Sequence, residues 1–354
     1  MIATLEFFRV ITFVGMYMHH LEYPIPLGAL GVSVFFVISG FLYSYNYSNR
    51  FQNLNSGVLL NFYRSKFARL YPVHILTFFI SIPLLGLTKV PTDILDIFTN
   101  LLMMQSWFPR GIHVFSFNSV SWFISNIWFF SLITPFVLYA IHKCELGNSI
   151  TKLIALNILL FATAVFIALP FKTMESYSFN WWFVYTSPYF RVFDFLIGII
   201  TGLLFINIKN SFPSKNVVFY TALEIMAILF FWKFFTMPYF KFPSLVMSIY
   251  YEPAIVLVLI VFGLQRGLLS SIINNRFSVL LGRLTYSAYM VHLMIILYVA
   301  FLLSDSIFKY KGDLLHLGAQ AMVLVFIFCI SDVIYRYIEI PGKNLIITVL
   351  KTEK

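Results

Sequence analysis

The sequence predicts an all-α fold: a polytopic membrane helical bundle of about ten transmembrane helices, with one short interfacial or re-entrant helix besides. Three observations predict it. Of the 354 residues, 60% are apolar and 11% charged, whereas a soluble domain carries roughly 25% charged residues. The mean hydropathy is +0.87. Apolar stretches of about 20 residues, long enough to cross a bilayer as helices, recur from one end of the chain to the other. The formal charge of +10 does not point to nucleic acid, because the cations gather in short loops between apolar runs, as in the cytoplasmic loops of membrane proteins.

The spans are expected near 4–21, 28–48, 70–88, 119–141, 151–170, 184–206, 217–236, 245–263, 280–302 and 316–339. The first is read as a retained helix, because no small-residue cleavage site follows it. Residues 94–108 are apolar but short, and they stop at Pro109. They form the interfacial or re-entrant piece. Pro135, Pro170, Pro188 and Pro341 are expected near helix ends or first turns, where proline is tolerated. Residues 1–345 then form one membrane domain, and 346–354 a short basic tail. The first loop carries Arg50, Arg64, Lys66 and Arg69 without an acid, which places it and both termini in the cytoplasm. Cys144 falls in a loop and Cys329 inside a helix, an arrangement that speaks against a disulfide.

Ionisable residues inside the apolar segments carry the functional signal. Arg9 and His20 lie eleven residues apart in the first segment. At 100° per residue they return to within about 20° of one face, on the order of 16 Å apart along the axis. Glu6 precedes Arg9 by one turn and can pair with it. These residues either anchor the helix at the interface or build a reaction site within the bundle, and the shared face favours the site. Ser39 and Gly40 allow two helices to approach closely. Arg64, Lys66 and Arg69 stand within six residues beside the membrane. They are either a topology signal touching anionic lipid or a clamp for the phosphates of a cytosolic polyanion such as coenzyme A. Trp181, Trp182, Tyr185, Tyr250 and Tyr251 look like interfacial aromatic belts, and Arg336–Glu339 like an i,i+3 pair. No metal-ligand spacing occurs: His113, His142 and His316 stand in or beside loops without nearby partners. No Gly-x-Ser-x-Gly elbow occurs, which excludes a common serine-hydrolase arrangement.

Seven pieces, in order, resemble the acyltransferase-3 family of integral-membrane enzymes that O-acylate surface glycans. They are the Arg9–His20 spacing, the run Phe35 to Leu42, the basic stretch Lys66-x-x-Arg69-x-x-Pro72, Trp122 to Phe130 with Asn118 before it, Arg191 to Gly198, Leu281 to His292, and Tyr335 to Pro341. The resemblance implies a transferase that moves an acyl group, acetyl above all, from cytosolic acyl-CoA to a hydroxyl of a surface or lipid-linked glycan. Acyl-CoA is then a co-substrate, with no resident cofactor and no metal. The chain would reside in a bacterial inner membrane.

In that scheme His20 is the general base, assisted by Arg9. Arg64, Lys66 and Arg69 bind the donor. Glu6, Ser39, Trp122, Asn126, Arg191, Ser287, Tyr289 and His292 line the substrate site. The sequence departs from the family at three points. Lys66 replaces an arginine, Asp194 replaces a glutamate, and Ile127 stands where the family often has a glutamate. Asp194 or a backbone carbonyl must therefore orient the histidine. A transporter or flippase for a lipid-linked sugar is the rival reading, since buried Arg and His also mark substrate pathways.

Overall fold

A computed structural model describes residues 2–23, 27–88, 90–211, 216–237, 242–302 and 314–351, and every regular element among them is helical. The long helices are α1 (Ala3–His20), α2 (Leu27–Tyr47), α3 (Ser56–Ser81), the short α4 (Ile94–Leu101), α5 (Trp122–Lys143), α6 (Ile150–Ala168), α7 (Pro188–Ser211), α8 (Val217–Thr236), α9 (Glu252–Gly263), α10 (Arg276–Leu302), α11 (Leu314–Ile334) and α12 (Ile340–Lys351). Among the described residues, eight helical stretches are long and apolar enough to cross a membrane. The chain is a multi-pass membrane protein.

Two expected spans differ from that set. Helix α1 forms where expected, but within its 18 residues it carries Glu6, Arg9, His19 and His20, so its apolarity is lower. The expected span 245–263 is broken: a short turn of helix at Pro243–Val246 precedes α9, which has only 12 residues. Helix α4 has eight residues, too few to cross a bilayer. Its start is fixed by a capping box in which Asp93 and Asp96 each accept the other's backbone N–H.

Helix α3 begins fourteen residues before the apolar run does. Asn55 caps it, accepting from the Val58 backbone N–H at 2.8 Å. The basic stretch is therefore helix and not loop, and it buries Phe62, Ala68 and Leu70. Pro72 and Pro135 lie inside α3 and α5 rather than near their ends. Packed neighbours make such interior prolines tolerable in membrane helices. Residues 346–351 continue α12 and do not form a separate tail.

The interior is organised by α2, which packs hardest against α7. A Cβ on Gly40 would lie 2.0 Å from the Phe195 carbonyl oxygen, and one on Gly198 would lie 2.2 Å from that of Val37. Glycine at both sites lets the two backbones touch. Helix α1 inserts between α2 and α10. Its Thr4 hydroxyl donates to the Phe262 carbonyl at 2.8 Å, and Tyr17 donates to the Gln320 carbonyl at 2.8 Å. Helices α6, α8 and α11 instead expose large apolar residues such as Phe166, Trp232 and Met322, as lipid-facing helices do. Cys144 and Cys329 are free and exposed.

Candidate active site

Helix α1 places Glu6 and Arg9 one turn apart, and their side chains pair at 3.0 Å. Arg9 stands where two cavities meet. The first, of ≈ 200 Å³, reaches inward from Lys66 and Arg69 past Ser39 and Ile127 to Tyr289. The second, of ≈ 510 Å³, is bordered by Glu6, Arg69, Arg283, Glu339 and Lys343. Arg9 and Arg69 border both. Four cations and two carboxylates thus face the larger cavity, leaving two positive charges without a fixed counterion there. Such a lining attracts anions, and guanidinium groups suit phosphate oxygens in particular.

Lys66 is buried, and among the described residues no carboxylate pairs with it. Its ammonium lies 3.7 Å from the Tyr43 ring centroid and 4.4 Å from that of Tyr47, with Phe62 at 5.2 Å. Cation–π attraction holds it in place, and its head borders the smaller cavity. Arg64 borders neither cavity. The helical geometry of α3 explains the difference: positions 66 and 69 share a face, and position 64 is turned roughly 160° from 66. Arg283 and Lys343 were not foreseen from the sequence as site residues. Arg283 stands in the Gly-Arg pair that opens the Leu281–His292 stretch, which was the available signal.

At the other end of α1, the His20 ring packs against His292 with centroids 5.2 Å apart, so it turns toward the bundle. His292 is fully buried. Its Nδ1 lies 2.6 Å from the Tyr289 carbonyl oxygen. A carbonyl only accepts, so Nδ1 carries the proton and Nε2 holds the lone pair. That Nε2 is buried without a hydrogen-bond partner among the described residues. A backbone carbonyl therefore orients His292, the neighbour of His20.

The cavity does not reach His20. Tyr289 closes its inner end, with its ring 5.6 Å from His292, and His292 stands before His20. Tyr289 donates its hydroxyl to the Val120 carbonyl at 3.0 Å.

Asp194 sits in a different cluster. Its carboxylate meets the Arg191 guanidinium at 2.9 Å, within hydrogen-bond reach of the Glu252 carboxyl. Arg191 also donates to Ser33 Oγ at 2.9 Å and to the Met247 carbonyl at 3.2 Å. These residues tie α2 and α7 to the segment before α9 and border neither cavity, so Asp194 does not orient His20 and Arg191 does not line the site.

Three other expected lining residues are also internal ties. Asn126 donates to the Thr186 carbonyl and accepts from Ser106 Oγ. Ser287 donates to Glu339 Oε2 at 2.8 Å. Trp122 packs on Tyr185, while its neighbours Phe123 and Ile124 border the cavity. Arg336 pairs with Asp332, not Glu339. Tyr251 is fully buried, and Trp182 is buried and donates to the Ser106 carbonyl, so neither belongs to an interfacial belt.

His113 does have partners. Its Nδ1 lies 2.7 Å from Asp96, and Arg110 bridges Asp96 and Asp93. The ligand atoms of Asp93, Asp96 and His113 lie within 4.8 Å of one another. The Arg110 guanidinium pairs with both carboxylates from within the cluster. It also holds the Asp93 carboxyl down to about 2.

A family described as an acyltransferase domain matches residues 2–336. The chain belongs to the acyltransferase-3 family. One curated relative is Acyltransferase MdmB of Streptomyces mycarofaciens, 29% identical over 192 residues. That match spans 50% of this chain and 47% of the relative. No solved structure matches the chain.

Proposed function

We propose that this acyltransferase-3 protein moves an acyl group, acetyl in the simplest case, from cytosolic acyl-CoA to a hydroxyl of a surface or lipid-linked glycan. Its setting is a bacterial inner membrane with both termini in the cytoplasm. The observation that carries the reading is the pair of cavities meeting at Arg9 and Arg69. The wider, cationic one suits the nucleotide phosphates of the donor, held by Arg69, Arg283 and Lys343. The narrower one suits a slender thioester arm pointed at Tyr289 and the paired imidazoles, with Lys66 at its entrance.

His20 takes the proton of the acceptor hydroxyl as its oxygen attacks the thioester carbon. The C–S bond then breaks, and the departing thiolate receives that proton. A positioned imidazole typically contributes about 10²–10⁴-fold to such a step. The oxyanion of the tetrahedral intermediate requires a donor. Arg9 and Tyr289 border the cavity and can serve, whereas the Ser287 hydroxyl is committed to Glu339. Because Tyr289 and His292 stand between cavity and His20, their rings must shift for donor and acceptor to meet.

The test is mass spectrometry of surface polysaccharide and its lipid-linked precursors from cells with the intact gene and without it. The expected result is a loss of one acyl group's mass per repeat in the deleted strain. Identical masses would refute the proposal.

A further inference from the structure

Arg283 borders the larger cavity of the candidate site and also an open basin of ≈ 760 Å³ beyond it, lined by Asn274, Asn275, Arg276, Val279, Leu280 and Arg283. Seven residues bring a helix back to within about 20° of its starting face, so Arg276 and Arg283 share one stripe of α10, on the order of 10 Å apart along the axis. Val279 and Leu280 stand between them on that stripe. The basin thus has a cation at each end and an apolar floor, and among the described residues no acidic side chain lines it. The start of α10, a helix of 27 residues, adds the positive end of its dipole.

Two contacts fix where the basin lies. A Cβ on Gly282 would strike the Glu6 side chain, and the His292 ring packs on that of His20. Helices α1 and α10 therefore run side by side in the same direction. Arg276, six residues before Gly282, stands about 9 Å beyond the level of Glu6, on the side away from His20. The path that begins at Tyr289 and passes Arg9 thus continues through Arg283 to Arg276. Arg276 and Arg283 are both exposed.

We propose that this basin seats the adenosine end of the donor and that Arg276 reads its 3′-phosphate. The inference rests on the acyl-CoA reading and deepens it. Coenzyme A carries two anionic points, a diphosphate next to the pantetheine arm and a phosphate monoester on the ribose, with the adenine ring beside them. Arg69, Arg283 and Lys343 take the diphosphate in the larger cavity. The adenine lies over Val279 and Leu280, and the monoester meets the Arg276 guanidinium, whose planar fork suits phosphate oxygens. A lipid head at the same surface also offers phosphate, but it has no flat ring for the apolar stretch between the cations. The donor is then a thioester of free coenzyme A. A pantetheine carried on a protein serine holds one phosphodiester and neither adenine nor monoester, so it would leave Arg276 without a task.

The experiment measures equilibrium binding of acetyl-CoA and of acetyl-3′-dephospho-CoA to the full chain in phosphatidylcholine nanodiscs. Wild-type protein should prefer acetyl-CoA at least tenfold. Arg276→Gln should weaken acetyl-CoA at least fivefold and leave the dephospho donor within twofold of wild type, which also shows that the variant is folded. Arg69→Ala, in the diphosphate seat, should weaken both donors alike and keep the preference. A wild-type protein that binds both donors equally, or an Arg276→Gln variant that weakens both equally, would overturn the proposal while the acyl-CoA reading stands. If neither donor binds wild-type protein, both readings fall. A lipid arm repeats the series with phosphatidylglycerol added and follows lipid retention by native mass spectrometry. Arg276→Gln that lowers phosphatidylglycerol retention but not the preference for acetyl-CoA would assign the arginine to lipid heads and refute its role in donor recognition.

Discussion

Two arginines, Arg191 buried and Arg9 half-buried, share a local pattern, and they do different work. Arg9 follows its carboxylate by three residues and Arg191 precedes its own by three, at 3.0 Å and 2.9 Å. Arg191 spends its other donors on Ser33 and on a backbone carbonyl, and a phenyl ring, that of Phe36, lies 5.3 Å away. It borders neither cavity of the candidate site. Arg9 has Glu6 and faces two cavities. A buried cation whose donors are consumed by the fold holds helices together. One whose donors face open space is positioned to hold a ligand. The difference lies in what the rest of the bundle offers each guanidinium, not in the helix that bears it.

The largest expected effect comes from breaking the consumed arginine. Arg191→Ala leaves two buried carboxyls, Asp194 and Glu252, without their cation. It should cost about 3–5 kcal/mol of stability, the usual penalty for breaking a buried pair. Thermal unfolding in detergent reads it. Arg9→Ala should cost less than half as much in the same assay, yet abolish acyl transfer. If Arg191→Ala stays as stable as wild type and loses only activity, the contrast between the two arginines fails.

Lys66→Gln comes next. It should raise the Michaelis constant for the acyl donor at least fivefold with a smaller change in kcat, because the aromatic seat survives and only the charge is lost. An unchanged donor constant would mean that Lys66 serves packing alone.

How much of this was legible in the sequence depends on which atoms carry the information. Helix positions follow apolar run length, and α1, α2, α6 and α8 fall within a residue or two of their expected limits. The start of α3 did not, because the polar turn at Asn61 to Arg69 masks a helix that buries Phe62 and Ala68 on its inner face. The shared face of Arg9 and His20 and the pairing of Glu6 with Arg9 follow from helical periodicity alone. The fate of Asp194 does not. Its partner Glu252 and the Arg191 ligands Ser33 and Met247 come from distant parts of the chain, and no local pattern announces them. The Asp96–His113 pair was invisible for the same reason, since the sixteen intervening residues, the rest of α4 among them, must fold back to form it.

The smallest effect concerns that loop. Hydrogen bonding to Arg110 lowers the Asp93 carboxyl to about 2. A depressed carboxyl stabilises the fold above its ordinary range near 4 and loses that contribution as pH falls through the lowered value. Hydrogen exchange across residues 90–116 should therefore stay slow at pH 5 and quicken between about pH 4 and 2. In Arg110→Met it should already be fast at pH 5. Equal protection in the two proteins at pH 5 would show that the Arg110 bridge does not hold the loop.

The most direct measurement pairs donor binding with transfer in two variants at opposite ends of the cavity path. Arg69→Ala should weaken acetyl-CoA binding at least tenfold. His20→Ala should bind acetyl-CoA as wild type does, yet transfer its acyl group more than tenfold more slowly at equal protein level. If His20→Ala transfers within tenfold of wild type, or if Arg69→Ala binds the donor unchanged, a thioester delivered from a cationic cavity to a base at the tip of α1 is not how this protein works.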